Sequence, residues 1–543
     1  MNAILSYSYK LFKGLNLRDD PNSLQQGKTS RAENNELVLA SGLSNKSGIE
    51  NPYDASFGNR HWDGFFRYET RSEEVFYIGV SYPNVYLIDS VNGFQSLIYS
   101  NWVSSGKPFF IPSNFGTGML VDGANTPLEI KERVIGPITW PPAYTNQNAT
   151  VLPNSPQAQE TNPTTIDQVG YPSFGIFFEG RYYLSGATQS PTRLYASKIG
   201  TSNFSDNAAS GIDVAFFFNL FSNSGITGIE VLSNEYLIVF CANEIFMLTG
   251  IYAPRVNAPE PIIQVKPYDR EIGCISPKAF VKGNRNDIYF LASNRSVYSL
   301  KTSDNFQETK PLGLSELIYP KLQKYSKSTL QRSVMVHDRF KGEIQIWIPE
   351  SNSKYYANER LIYSYAETTQ EPEWSFDKGM NLDVVSAFYD QESLGVMIGA
   401  TSGLYRSDFG ATYAGSNIPF IYRLAPIDFG RRDITKKLDQ VIIYYRLFSN
   451  EPVVITFESA FDNKASSIKQ ITLNPKVEAI YGVTEYGESV YSNNAGEPIL
   501  KEAFAVSDSY GEVLKCVLSA STQVKFFISE IVFRYQVMAA VSK

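Results

Sequence analysis

Two histidines and three cysteines are all that a chain of 543 residues offers for nitrogen or sulfur metal ligands, histidine-dependent nucleophiles or cross-links. His61 and His337 lie far apart, and Cys241, Cys274 and Cys516 show no CxxC spacing, so no zinc site can be written. The odd cysteine count and the apolar run around each thiol argue for small buried hydrophobes made in a reducing compartment, not for a disulfide framework. HExxH, Walker A and GxSxG patterns are absent, and His337-Asp338 reads as part of a polar turn. The expectation is a protein that is not an enzyme, with no catalytic, cofactor-binding or metal residues assigned. An excess of positive charge is missing too. Lys and Arg number 48 against 55 Asp and Glu, a net charge of −7, which excludes a global basic field for holding phosphate backbones. No run approaches the roughly 18 apolar residues of a membrane helix, so no membrane segment is expected. The greasiest run, Val214 to Phe221, already contains Asn219. The start, Met1 to Lys10, has neither a basic opening nor an extended apolar stretch, so no secretion signal is expected.

Aromatic residues are abundant instead: 35 Tyr and 35 Phe. They recur in a fixed setting. In Ile288 to Leu300 two short apolar runs flank Ser-Asn-Arg-Ser, and alternate residues (Ile288, Phe290, Ala292, then Val297, Ser299) match the two-residue period of a strand turning into its neighbour. Similar hairpins occupy Phe76 to Ile88, Met119 to Ile130, Gly180 to Ala196, Tyr236 to Leu248, Gly395 to Arg406, and Ile344 to Pro349 with Leu361 to Tyr365. About seven units at a spacing of roughly 40–60 residues signal a propeller or solenoid. The reading is an all-β fold: a β-propeller of about six to eight blades over 61–415, an N-terminal arm over 1–60 and a C-terminal antiparallel β-sandwich over 416–543.

The arm consists of short polar pieces broken by Gly and Pro, with one strand candidate at Glu36 to Ala40, and is expected to pack on the propeller or on a neighbouring subunit. A Pro/Asn/Gln/Thr stretch at 141–172 reads as a loop insertion. Leu314 to Tyr325 reads as a helix, with Pro320 kinking or splitting it. Longer strands follow Ile418, ending in Gln523 to Tyr535.

Carboxylate chemistry needs only two acids, and Ser375 to Leu382 and Arg406 to Tyr413 approach the Asp-box of sialidase-like propellers. In that motif Asp and Gly stabilise a hairpin turn, so the match speaks for fold alone. It supports an alternative reading, a carbohydrate-active propeller that is a sialidase-like enzyme or a lectin. The densest charge lies in Asp428 to Asp439, where Arg431, Arg432, Lys436 and Lys437 alternate with three aspartates. A solvated strand entry is the plain reading; an interface or channel contact is the functional one.

Several stretches in order carry a resemblance: Gly14-Leu-Asn with Asp20-Pro21; Ser41-Gly-Leu with Lys46-Ser-Gly48; Val121 to Leu128; Gly180 to Leu184 with Arg193 to Ser197; Glu271 to Pro277; Ile346 to Pro349; and Ile427-Asp-Phe-Gly430 with Lys436-Lys437. Together the chain resembles the tail nozzle, or packaged-DNA stabilisation, proteins of short-tailed, podovirus-like bacteriophages. Family members often carry Arg-Pro-Gly where this chain has Lys46-Ser47-Gly48. The resemblance implies a structural virion protein of the tail, made in the bacterial host cytoplasm. It implies a ring of six copies below the portal and tail adaptor that extends the DNA channel and retains packaged genome. Such a ring would offer docking surfaces for fibres, spikes or a needle and touch viral double-stranded DNA in passing. The acidic balance suits such a channel, since phosphates slide along a wall that does not bind them.

Overall fold

A computed structural model describes residues 4–538, apart from 143–149, 153–164, 206–214, 250–261, 301–311, 366–372, 462–465, 476–498 and gaps of one to three residues. Most of the 141–172 insertion lies outside the described residues; within it, Thr150–Leu152 pairs in parallel with residues 262–264. The described chain is nearly all β, built of small antiparallel sheets.

Seven of these sheets follow one another in sequence, and their first strands are Gly64–Glu69, Phe109–Pro112, Phe174–Phe178, Ile226–Ser233, Phe280–Lys282, Val334–Asp338 and Val384–Asp390. Each first strand contacts the first strand of the next sheet, and Val384–Asp390 returns to Gly64–Glu69, so the seven close a cycle. The hairpin of Ile288–Leu291 and Val297–Leu300 forms the middle of the fifth sheet, with Ile288 opposite Leu300 and Leu291 opposite Val297. Its turn needs one left-handed residue, Arg295 (φ 65°), whose guanidinium donates to the carbonyl of Gln323 at 2.8 Å. Closure between the seventh and first sheets is apolar: Phe57, Trp62, Phe65, Tyr77, Met397 and Leu404 share one cluster. A Cβ at Gly79 would stand 2.6 Å from the Trp62 ring, so this close approach requires glycine.

The seventh sheet is completed from the other end of the chain. Ile49–Glu50 pairs with its third strand, Glu50 opposite Arg406 and Ile49 opposite Ser407. The residues before Ile49 belong elsewhere. Ile4–Tyr9 and Gly42–Asn45 both pair with Phe526–Val537 in a six-stranded sheet that includes Lys436–Leu447 and Leu500–Gly511. Ala32–Glu33 pairs with Ile418–Arg423 in a five-stranded sheet containing Leu514–Thr522, Val453–Phe461 and Ser467–Leu473. The arm therefore packs within its own chain, as strands of three sheets.

The two larger sheets share an apolar core, where Phe420 meets Phe526 at 5.1 Å between ring centroids and Phe457 meets Phe504 at 5.3 Å. In Val453–Phe461 every second residue is buried, as a half-buried strand requires. Leu314 to Tyr325 is no continuous helix: a 3₁₀ turn Glu316–Ile318 leads into Tyr319–Leu322, with Pro320 near the start where its missing N–H costs nothing. Among the described residues, no helix is long and apolar enough to cross a membrane.

Candidate functional site

Where arm, ring and paired sheets meet, charges from all three gather. In the sixth sheet Arg360 sits directly opposite Asp377. Both side chains are fully buried, and the guanidinium approaches the carboxylate through Nε at 2.8 Å and Nη2 at 2.7 Å. Nη1 donates to Ser407 Oγ at 2.6 Å and Gln345 Oε1 at 3.1 Å, tying the sixth sheet to the seventh. Both contacts fall on one carboxylate oxygen, Oδ2, so the pairing is charge-assisted without being a two-oxygen fork.

Lys341, in the turn before the strand Glu343–Ile348, bridges Asp408 at 3.1 Å and Glu36 of the arm at 3.4 Å. Glu36 also receives Lys525 of the six-stranded sheet's neighbourhood at 2.8 Å. Lys46 of the arm is buried amid Glu343, Asp377 and Glu36. Burial opposes the charged form of Glu36, but Lys46, Lys341 and Lys525 prevail and hold its carboxyl at about 2. Asp408 is lowered likewise, chiefly by Lys341 against its own burial. Burial raises Glu343 instead. Asn34, in a left-handed conformation (φ 55°), adds neutral bonds: its Nδ2 donates to Lys378 O at 2.9 Å and its carbonyl accepts from Lys46 N at 3.0 Å. A Cβ on Gly48 would stand 2.5 Å from Thr412 O, so the arm can pass here only as glycine.

Sequence reasoning placed Asp377 and Asp408 in Asp-box-like turns. Their carboxylates serve the junction, bonding Arg360 of the neighbouring strand and Lys341 of a turn. Lys46 and Lys28 are buried cations of the arm, and Lys46 is the one in the junction. The junction as a whole was not foreseen, since Glu36 and Lys525 are 489 residues apart.

The four cations singled out earlier do not share one surface. Arg431 and Arg432 are exposed, and Arg431 pairs with Asp433 at 3.0 Å. Lys437 is half-buried. Lys436 is buried, its ammonium donating to the carbonyls of Arg431 and of Glu512, the latter at 3.1 Å, so a solvated strand entry does not describe it.

His337 lies within the strand Val334–Asp338 and not in the turn. It is buried against the Tyr365 hydroxyl at 2.6 Å, and burial lowers it to about 4, so it stays neutral at pH 7. Asp338 makes the turn, accepting from Phe340 N and Lys341 N at 3.1 Å. The three thiols are free and buried, and burial raises Cys241 to about 11 and Cys274 to about 12.

A cavity of about 660 Å³ lies at one end of the ring's centre, where all seven first strands begin. Asp63, Lys107, Ser173, Ile226, Lys278 and Val384 each stand at or just before the first strand of a different sheet. Arg332 and Ser333 contribute from the seventh of these, the sixth sheet in sequence. Among the described residues the lining contains one carboxylate, Asp63.

No family model and no curated protein matches this sequence. Among solved structures it is similar to the WD40 β-propeller domain of Doa1 (TM-score 0.33, 9% identity, covering 67% of this chain and 95% of that one). It is also similar to a chain of the mitotic checkpoint complex (0.38, 8%, covering 68% and 95%). A third is the extracellular domain of a putative one-component system from B. thetaiotaomicron (0.40, 8%, covering 90% of this chain and 62% of that one). Likenesses this slight carry no functional argument.

Proposed function

We propose that this chain is a structural protein of a short bacteriophage tail, a seven-bladed β-propeller joined to a C-terminal β-sandwich. Copies of it form a ring, six by family resemblance, below the portal and adaptor. The ring extends the DNA channel, helps retain packaged genome and presents its outer surfaces to fibres, spikes or a needle. The propeller stands outward and the sandwich forms the platform around the tube.

One observation carries the reading: the short stretches that resemble the nozzle family fall where this fold needs particular residues. A Cβ at Gly14 would meet Trp374 O at 2.8 Å, and Gly48 and Lys46 fix the arm to the ring. Asp122, in Val121 to Leu128, accepts from Ala124 N and Asn125 N at 2.9 and 2.8 Å and from the Tyr82 hydroxyl at 2.7 Å. Lys436 closes the turn after Asp428. Matches at such positions reflect a shared architecture better than scattered core hydrophobes would. The central cavity favours this reading over glycoside hydrolysis, because the two-carboxylate mechanism needs a pair and the lining offers Asp63 alone.

Light scattering and negative-stain imaging of the purified chain, alone and with a tail adaptor, test the proposal. Rings with an axial hole are expected. A persistent monomer that ignores the adaptor would overturn it.

A further inference from the structure

The cavity at the ring's centre gathers like charges. Lys107, Lys278 and Arg332 come from three different sheets and line one space of about 660 Å³, within the range of small-ligand pockets. Among the described residues no carboxylate lies within 4 Å of any of the three. Lys278 donates to the Val385 carbonyl at 3.0 Å, and Arg332 to the Lys354 carbonyl at 2.7 Å, which orients each head without neutralising it. The Arg332 guanidinium lies 4.9 Å from the centre of the Tyr355 ring. Two of the cations are disfavoured by burial and by a like-charged neighbour. Burial and Lys107 push Lys278 down to about 8 against the pull of Asp63, and burial and Arg332 lower Lys107.

Three cations held together with a single carboxylate, Asp63, in the lining and none within 4 Å carry an excess of positive charge whose electrostatic cost an anion would recover. The rest of the lining is of two kinds: apolar surface from Phe109, Phe174, Ile226 and Val334, and polar groups at Ser173, Thr227, Tyr356 and Asp63. Asp63 can accept only from a donor such as a hydroxyl, since it would repel a second anion.

We propose that this axial cavity binds a small organic oxyanion, a carboxylate or phosphate ester on a hydroxyl-bearing body of about hexose size. The oxyanion sits among Lys107, Lys278 and Arg332, and a hydroxyl of the ligand donates to Asp63. The site lies outside the tail-assembly reading and does not depend on it.

Titration calorimetry with glucuronate, glucose 6-phosphate and neutral glucose tests the proposal on the full chain. At least one of the two anions should bind at millimolar concentration or tighter, and glucose should not. Lys278→Met should weaken binding by about tenfold or more, roughly one lost charge-assisted contact. Lys278→Arg should restore most of it and remove the fall in affinity that the wild type shows above about pH 8, where Lys278, beside Lys107 and Asp63, loses its proton. Thermal melting checks that each variant is folded, and Arg431→Gln, on the exposed turn, should bind like wild type. No heat with either anion, or equal binding by wild type and folded Lys278→Met, would overturn the proposal.

Discussion

Asp428 to Asp439 carries four cations and three carboxylates in twelve residues, while the junction around Glu36 assembles four cations and four carboxylates from segments hundreds of residues apart. On the surface, Arg431 and Asp433 pair in water, where the attraction is screened and weak. In the junction, Arg360 and Asp377 are fully buried and Lys46 nearly so. There the loss of one partner strands the other in a medium of low polarity. Charge density along a sequence thus says little about what a charge does. Burial and partners decide it.

Removal of one junction carboxylate should have the largest effect. Asp377→Ala should cost about 3–5 kcal/mol in denaturant unfolding, because Arg360 stays buried without its counter-ion. Arg360→Met combined with Asp377→Leu should cost less than Asp377→Ala alone, since no charge is left stranded. A loss below about 1 kcal/mol for Asp377→Ala would put the junction in the same class as the surface pair.

Acid comes next. Glu36 is held at about 2 in the folded chain against 4.5 when free, and Asp408 is lowered too. Their contribution is fully present above the free-carboxylate range and is lost as pH falls toward 2, because the unfolded chain then binds the extra protons. For Glu36 this amounts to on the order of 3 kcal/mol. Stability measured from pH 6 to pH 2.5 should therefore fall steeply, and Glu36→Gln should flatten part of the slope. An unchanged slope in Glu36→Gln would remove Glu36 from the account.

A smaller effect separates the members of the surface segment from one another. Lys436→Met removes the donor to two carbonyls and should cost about 1–3 kcal/mol. Arg431→Glu with Arg432→Glu should leave the monomer's denaturation midpoint close to that of wild type and disturb it less than Lys436→Met does. If these two face a neighbouring copy, the double reversal should still weaken ring assembly, read by light scattering.

The ring was legible because each central hairpin obeys a period of two within a dozen residues, as Ile288 to Leu300 does. All seven hairpins read from the sequence are the middle strands of the seven sheets. Harder to read were strands whose apolar side alternates weakly: Leu500–Gly511 carries Lys501, Glu502 and Asp508, and Ile418–Arg423 begins within a polar turn region. The arm misled for another reason. Its pieces, such as Ile49–Glu50, are two to six residues long and become strands only because partners wait at residues 406–407, 421–422 and 527–536. Junction and axial cavity share that origin. Lys341 with Glu36 is a product of arm docking and Lys278 beside Lys107 of ring closure, and nothing within a local window of sequence announces either.

Calorimetric unfolding of wild type beside Glu36→Gln tests most directly whether arm and junction weld ring and paired sheets into one body. Wild type should show a single cooperative transition, with calorimetric and van't Hoff enthalpies in agreement, and should separate into two transitions when Glu36 is neutralised. Two independent transitions already in wild type, with midpoints unmoved by Glu36→Gln, would contradict it.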